Sequence, residues 1–243
     1  MADKSFIGKG IVYLNGRDVG NCTALTLGVT EEKIELKNYR TAAGGNYNSL
    51  TRIDSVEVSM TISDFSVENL ALGMFGTTSA VTAAEVANEA IAAPASLAGD
   101  PLIKTANVID TAETVTVTSS PAGTTFTAGT DYTVTPAGIR LVSATTTITA
   151  SQNLLITYDK KPVDVLQALT TSAGEYELVF DGLNEAQSGV PYVVTVHRFK
   201  AGPAAEIALI GDEFGELQIT GEALADTSIT TAGLSQYAEI KAA

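Results

Sequence analysis

The sequence predicts a mainly β protein: strands with one short α-helix lying on their sheet, and a small second β-domain inserted among them. Three observations carry that expectation. Several stretches alternate apolar and polar residues, most cleanly Val56, Val58, Met60 and Ile62 against Glu57, Ser59, Thr61 and Ser63. A clear helical spacing occurs once, after Asp64. The Thr- and Val-rich middle is broken by turn residues at short intervals, as in chains of short strands. With 243 residues, 45% of them apolar and 17% charged, there is enough material for a core and room for one large domain or two small ones.

Taken in order, Gly10 to Leu14 is a continuous apolar run followed by Asn15-Gly16, the pair favoured in two-residue hairpins because both central positions need positive φ. Leu25, Leu27 and Val29 alternate with polar or small residues, and Ile34 and Leu36 do so further on, which predicts a half-buried strand with one apolar and one wet face. Residues Asn38 to Asn48, with Gly44-Gly45 at their centre, predict a long mobile loop. The spacing of Leu70, Ala71, Met74 and Phe75 predicts a helix from Ser66 to Phe75, capped by Asp64 or Ser66 and stopped by Gly76. Gly73 opposes that helix by about 1 kcal/mol relative to Ala.

Composition then shifts. Residues 80–99 are Ala-rich, with Glu85 and Glu89 four apart, and fit a linker or a marginal helix equally. Short strands follow at Thr114 to Thr118, Tyr132 to Thr135, Ile139 to Val142 and Leu154 to Tyr158, separated by Pro-Ala-Gly turns. These strands are complete without the rest of the chain. Residues 83–161 are therefore expected to be an inserted β-domain, and 1–82 with 162–243 a discontinuous outer domain. In the second half of that outer domain, strands are predicted around Tyr176 to Phe180, Pro191 to Phe199, Leu217 to Ile219 and Tyr237 to Lys241. Val163 to Leu169 reads as a strand in preference to a helical turn.

A net charge of −14, without a basic block, argues against a surface that grips phosphates. No run approaches the roughly 18 apolar residues of a membrane span, and the N-terminal residues lack a signal-peptide core, so the protein is expected to be made and kept in the cytoplasm. Cys22 has no second cysteine to pair with and is expected to be a small buried thiol. His197 is the only histidine and stands in no nucleophile-elbow or triad context, so catalysis is not expected. Asp212, Glu213 and Glu216 cluster between glycines, but the alternating spacing of a calcium loop is missing and a solvated acidic turn is the preferred reading. No glycine pattern has the spacing of a phosphate loop, and no cofactor or metal is expected.

The run from Ser55 to Leu72, preceded by a Gly-rich loop after Glu35-Leu36-Lys37-Asn38-Tyr39, resembles the tail tube (major tail) proteins of long-tailed bacteriophages. So does Glu175 to Glu185, together with Gly211 to Leu217, while the insert around Ala128 to Tyr132 is similar to decorations found in some members. The resemblance implies a tail-tube-type antiparallel β-sandwich with one short α-helix, six copies closing into a ring, and rings stacked into a tube through which DNA passes without sequence-specific binding. It further implies a tape measure protein and tail terminator and tip proteins as partners, location in the virion tail after assembly in the host cytoplasm, and no enzymatic activity. Two hairpins per subunit would line the bore, and six times −14, or −84 per ring, would keep DNA from adhering. Glu57, Ser59, Thr61, Glu216, Gln218, Thr220 and Glu222 are the expected bore-lining residues. Asn38, Tyr39, Arg40, Gly44, Gly45, Asn46, Tyr47 and Asn48 are the expected ring-stacking loop. An insert facing outward would obstruct a sheath, which favours a non-contractile tail. The alternative is a monomeric carbohydrate-binding or adhesion module, against which stand the absence of Trp and an aromatic content of 6%.

Overall fold

The computed structural model describes residues 4–243. Among these residues the chain is mainly β, with antiparallel sheets and one α-helix. Strands β1 (Gly8–Leu14), β2 (Arg17–Asp18), β3 (Cys22–Lys37) and β4 (Asn46–Ile62) precede helix α1 (Val67–Met74) and β5 (Thr77–Val81). Then come β6 (Ala84–Ala92), β7 (Leu102–Lys104), β8 (Thr116–Ser119), β9 (Tyr132–Thr135), β10 (Gly138–Leu141) and β11 (Asn153–Lys160). The chain closes with β12 (Val163–Gln167), β13 (Glu175–Asn184), β14 (Val190–Ala204), β15 (Leu217–Ala223) and β16 (Ala238–Ala242).

Two compact units result: residues up to Thr78 with Leu166–Ala243, and Ser79–Val165. The joints expected from sequence, 82/83 and 161/162, fall a few residues inside these. The difference arises because β5 and β12, where the chain leaves and returns, pair as a two-stranded ribbon in which both joints lie.

The outer unit is an eight-stranded sheet in the order β2-β1-β13-β14-β15-β4-β3, with β16 also paired to β14. Strand β14 does double duty: its residues 192–196 run beside β16 and its residues 199–204 beside β15. Side chains from both ends of the sheet meet in one core, Val12 and Leu14 with Leu178, Phe199, Met60, Ile62, Leu217 and Ile219. That shared core makes the folded sheet a sandwich. Each fully buried side chain of this size contributes about 1.5–3 kcal/mol. The Asn15-Gly16 hairpin forms as predicted, with φ of 48° and 76°.

The helix is short because its ends are tied down. Ser66 Oγ accepts from the Asn69 N–H at 3.2 Å, and the Gly76 N–H donates to the Ala71 carbonyl at 2.9 Å. Asn69 is itself buried; its amide donates to the carbonyls of Val19 (2.8 Å) and Asp64 (3.0 Å) and its oxygen accepts from Arg17 (2.9 Å). A Cβ on Gly73 would stand 3.1 Å from both Ala204 Cβ and Leu217 Cδ1. Close approach to the sheet explains a glycine that helix propensity alone disfavours.

The inserted unit packs two three-stranded sheets, β6-β11-β8 and β7-β10-β9, over its own core of Val117, Ile139, Leu141, Leu154, Ile156 and two tyrosines. Tyr158 donates its hydroxyl to Glu89 at 2.7 Å, and Tyr132 donates to the Val115 carbonyl at 3.0 Å. The segment that read as linker or helix is instead strand β6. Its pairing with β11 overrides the helical preference of alanine, and Asn88, at φ 54°, sits where the register shifts. Asp131 is buried among donors, taking the Thr127 N–H at 2.8 Å and the hydroxyls of Thr145 (2.6 Å) and Thr147.

Candidate functional site

Paired residues of an antiparallel ladder project to the same face, and faces alternate along each strand. Strands β4 and β15 pair Glu57 with Glu222, Ser59 with Thr220, and Thr61 with Gln218. Between them, Val58, Met60, Ile62, Leu217 and Ile219 point into the core. Six of the seven expected bore residues therefore stand together on the solvent face of one sheet, backed by the sandwich. Glu216 is exposed but lies in the coil one residue before β15.

The face extends beyond the predicted set. Strand β3 adds Gly28 beside Glu57, Thr26 beside Ser59 and Ala24 beside Thr61, and β14 adds Lys200 beside Glu222. Its chemistry is small, hydroxyl-rich and weakly acidic. Parity along β3 could have revealed Thr26 and Gly28; Lys200 lay past Phe199, where the strand was expected to end.

Beyond this face, β3 and β4 continue as a two-stranded arm. Strand β3 pairs only with β4, and β4 before Glu57 pairs only with β3, so among the described residues the outer edge of β3 is open along its length. The bounds of the expected loop from Asn38 to Asn48 are corrected here. The connecting turn spans only residues 38–45, closed by the Asn38 N–H on the Gly45 carbonyl at 2.8 Å, and Asn46, Tyr47 and Asn48 belong to β4. The hairpin ladder reaches farther because Leu36 and Lys37 find partners in Asn48 and Asn46. The expectation of a half-buried strand is also corrected. Val29 is 59% exposed and Leu36 56%, and their odd spacing puts Leu25, Leu27 and Val29 on one face and Ile34 and Leu36 on the other. In the β4 strand, Asp54 is left unmatched where the register shifts between Thr30 and Glu31.

Along the arm, Glu35 bridges Lys37 at 2.6 Å and Lys33 at 2.9 Å; Lys37 first, then Lys33 and Asn46, bring its carboxyl down to about 2. Arg40 and Arg52 form no ion pair among the described residues. On the connection between β14 and β15, Leu209, Ile210 and Phe214 are 88%, 98% and 97% exposed.

Cys22 is half-buried rather than buried, because it opens the edge strand; its Sγ donates to the Ala24 carbonyl at 3.1 Å, and burial pushes its thiol up. The backbone N–H of His197 donates to the Tyr237 carbonyl at 3.0 Å within the strand region. Among the described residues, no group of three or more His, Cys, Asp or Glu side chains is placed to hold a metal ion, and no helix is long and apolar enough to cross a membrane.

No curated protein matches the sequence significantly. One family signature spans residues 5–241, almost the whole chain, and the chain belongs to that family, described as protein of unknown function UCP028589.

Proposed function

We propose that the protein is the structural subunit of a phage tail tube, six copies closing into rings and rings stacking into a conduit for DNA. The observation that carries the reading is the in-register polar face of Glu57, Ser59, Thr61, Gln218, Thr220 and Glu222, which ends on the open edge of β3. A sixteen-residue edge strand with one side unpaired is an aggregation hazard in a monomer, and the open edge is removed when sheets join edge to edge into a closed barrel. The joined faces would form a wall of small hydroxyl side chains with Glu57 and Glu222 outnumbering Lys200. Such a wall offers DNA neither base contacts nor clustered cations, so the strand slides instead of binding. Tape measure, terminator and tip proteins are the partners that this role requires, and the virion tail is the destination after assembly in the host cytoplasm.

Size-exclusion chromatography with negative-stain imaging of the purified protein tests the reading. Hollow rings or tubes are expected; a monomer persisting at high concentration would favour a solitary adhesion module instead. The bore assignment has its own test. Glu57→Lys with Glu222→Lys should leave tails assembled while DNA ejection at low salt slows or stalls. Normal ejection from such tails would move the bore to another face.

A further inference from the structure

The outer unit carries two uncovered patches of opposite character. The outer part of the arm, residues 33–53, holds four of the chain's fourteen cations, Lys33, Lys37, Arg40 and Arg52, and the carboxylate of Glu35, while Glu31, Glu32 and Asp54 stand at its base with Glu32 opposite Arg52 in the ladder. Beside these charges Tyr39 is 88% and Tyr47 62% exposed, and Ile34, Leu36 and Leu50 lie about half exposed. On the β14–β15 connection, residues 206–216 hold Glu206, Asp212, Glu213 and Glu216 and no cation, around the bare side chains of Leu209, Ile210 and Phe214. Ile207 anchors the base of that connection on the core. Neither patch is covered within the subunit, so each is free to meet another molecule.

We propose that the arm of one copy docks on the 206–216 connection of a second copy. Charge complementarity selects that occupant. Two molecules of net charge −14 repel as whole bodies, so association needs a local pair of opposite patches to overcome the repulsion, and this chain carries both halves. The tip also has the residue types that concentrate binding energy, Tyr39, Arg40 and Tyr47, and the guanidinium of Arg40 is suited to the face of Phe214. Because donor and acceptor patches differ, each copy retains one free patch of each kind after pairing. The contact is head-to-tail and propagates; it does not close as a two-fold dimer. This inference deepens the tube reading by naming the acceptor of the arm, yet it would hold for an assembly that never conducts DNA.

Charge exchange tests it. Arg40→Glu with Arg52→Glu, and separately Asp212→Lys with Glu213→Lys, are each expected to raise the threshold concentration for assembly about a hundredfold by sedimentation velocity at low salt. The chain with all four substitutions is expected to assemble near the wild-type threshold, since the patches have only traded signs. Circular dichroism confirms that each variant is folded. As a second measurement, mixing Tyr39→Cys with Phe214→Cys protein, both also Cys22→Ser, should give a mixed cross-link with a short bismaleimide. Reversed chains that assemble at the wild-type threshold, failure of the four-fold exchange to regain assembly, or absence of the mixed cross-link would each overturn the contact while leaving tubes of the wild type intact. A wild type that never assembles would overturn the tube reading as well.

Discussion

The two compact units treat their apolar residues in opposite ways. Among the described residues of the insert, Leu102 is the one large apolar side chain left exposed; the outer unit leaves twenty, from Phe6 to Ile240. The insert has a complete core of its own, with Val117, Ile139, Leu141, Leu154 and Ile156 at 0% exposure. The outer unit buries Met60, Ile62 and Phe199 as deeply, yet carries Val29, Leu36, Ile53 and Phe214 in the open. Removing exposed apolar groups from water is favourable, so what the outer unit leaves uncovered is surface on which association can draw. One unit covers its apolar residues by its own fold, and the other leaves twenty of them uncovered.

Removing the arm should break that contrast most severely. Strands β3 and β4 pair Lys33 with Thr51, so Ile34–Leu50 can be replaced by Asn-Gly, a turn that suits a two-residue hairpin. The product keeps every residue of the outer core and is expected to be a folded monomer that forms no higher assembly at any accessible concentration. Sedimentation velocity reads the result. Assembly at the wild-type threshold would mean that the exposed arm is incidental.

Core truncations separate the two units next. Ile156→Ala and Met60→Ala each remove a fully buried side chain, and each should cost about 2–5 kcal/mol. With separate cores, calorimetry of the full chain should place the loss in different transitions. Ile156→Ala should leave the assembly threshold unchanged, whereas Met60→Ala, lying directly behind Ser59 and Thr61, should raise it. A single transition shifted equally by both would contradict independent cores.

Within the insert, acid should act through Asp131. The Thr127 N–H first, then the hydroxyls of Thr145 and Thr147, hold its carboxyl below the usual aspartate range. A folded-state value below the unfolded one gives stability that is present above the unfolded value of about 3.9 and is lost as pH falls through the folded value. Thermal melts of the insert between pH 6 and pH 2 should therefore decline at the acid end. Asp131→Ala should lower stability at neutral pH by about 1–3 kcal/mol, because it strands three donors, and should flatten that decline. An unchanged acid profile in the variant would assign the decline to other carboxylates.

How much of this was legible in the sequence depends on whether a feature is local. The alternation from Val56 to Ile62, the Asn15-Gly16 turn and the Ser66 cap rest on residues a few positions apart, and they read correctly. The shared face of Glu57 and Glu222 was suggested by the resemblance alone, since no local rule sets a register across that separation. Strand β6 went unread because Ala, Glu and their spacing favour a helix, and only the distant β11 enforces extension. The run of β14 past Phe199 was not expected; Gly202 and Pro203, residue types that commonly end a strand, sit at the shifted register between Ala201 and Ala204. In the 206–216 connection, Asp212, Glu213 and Glu216 mark a solvated acidic turn in sequence, and nothing local marks the apolar residues beside them. The exposure of Leu209, Ile210 and Phe214 is a tertiary fact that no local pattern sets.

Deleting the insert should have the smallest effect on assembly of all. Its strands pair among themselves, its core contains only its own residues, and the chain enters and leaves through the paired strands β5 and β12. Insertions are tolerated where chain ends lie close together on an exposed surface, and a two-stranded ribbon holds its ends at neighbouring-strand distance, about 5 Å. Replacing 83–161 by a short Gly-Ser linker leaves Thr77–Thr82 and Pro162–Gln167 to re-form that ribbon. The shortened chain should fold, assemble at a threshold within about threefold of the wild type, a difference of under about 1 kcal/mol, and give particles of the same bore in negative stain. The arm and the polar sheet face are untouched by the change, so nothing that the outer unit needs for association is lost. If instead the folded, shortened chain stays monomeric, the division between a self-sufficient insert and an association-dependent outer unit fails, and residues 83–161 must supply part of the contact between copies.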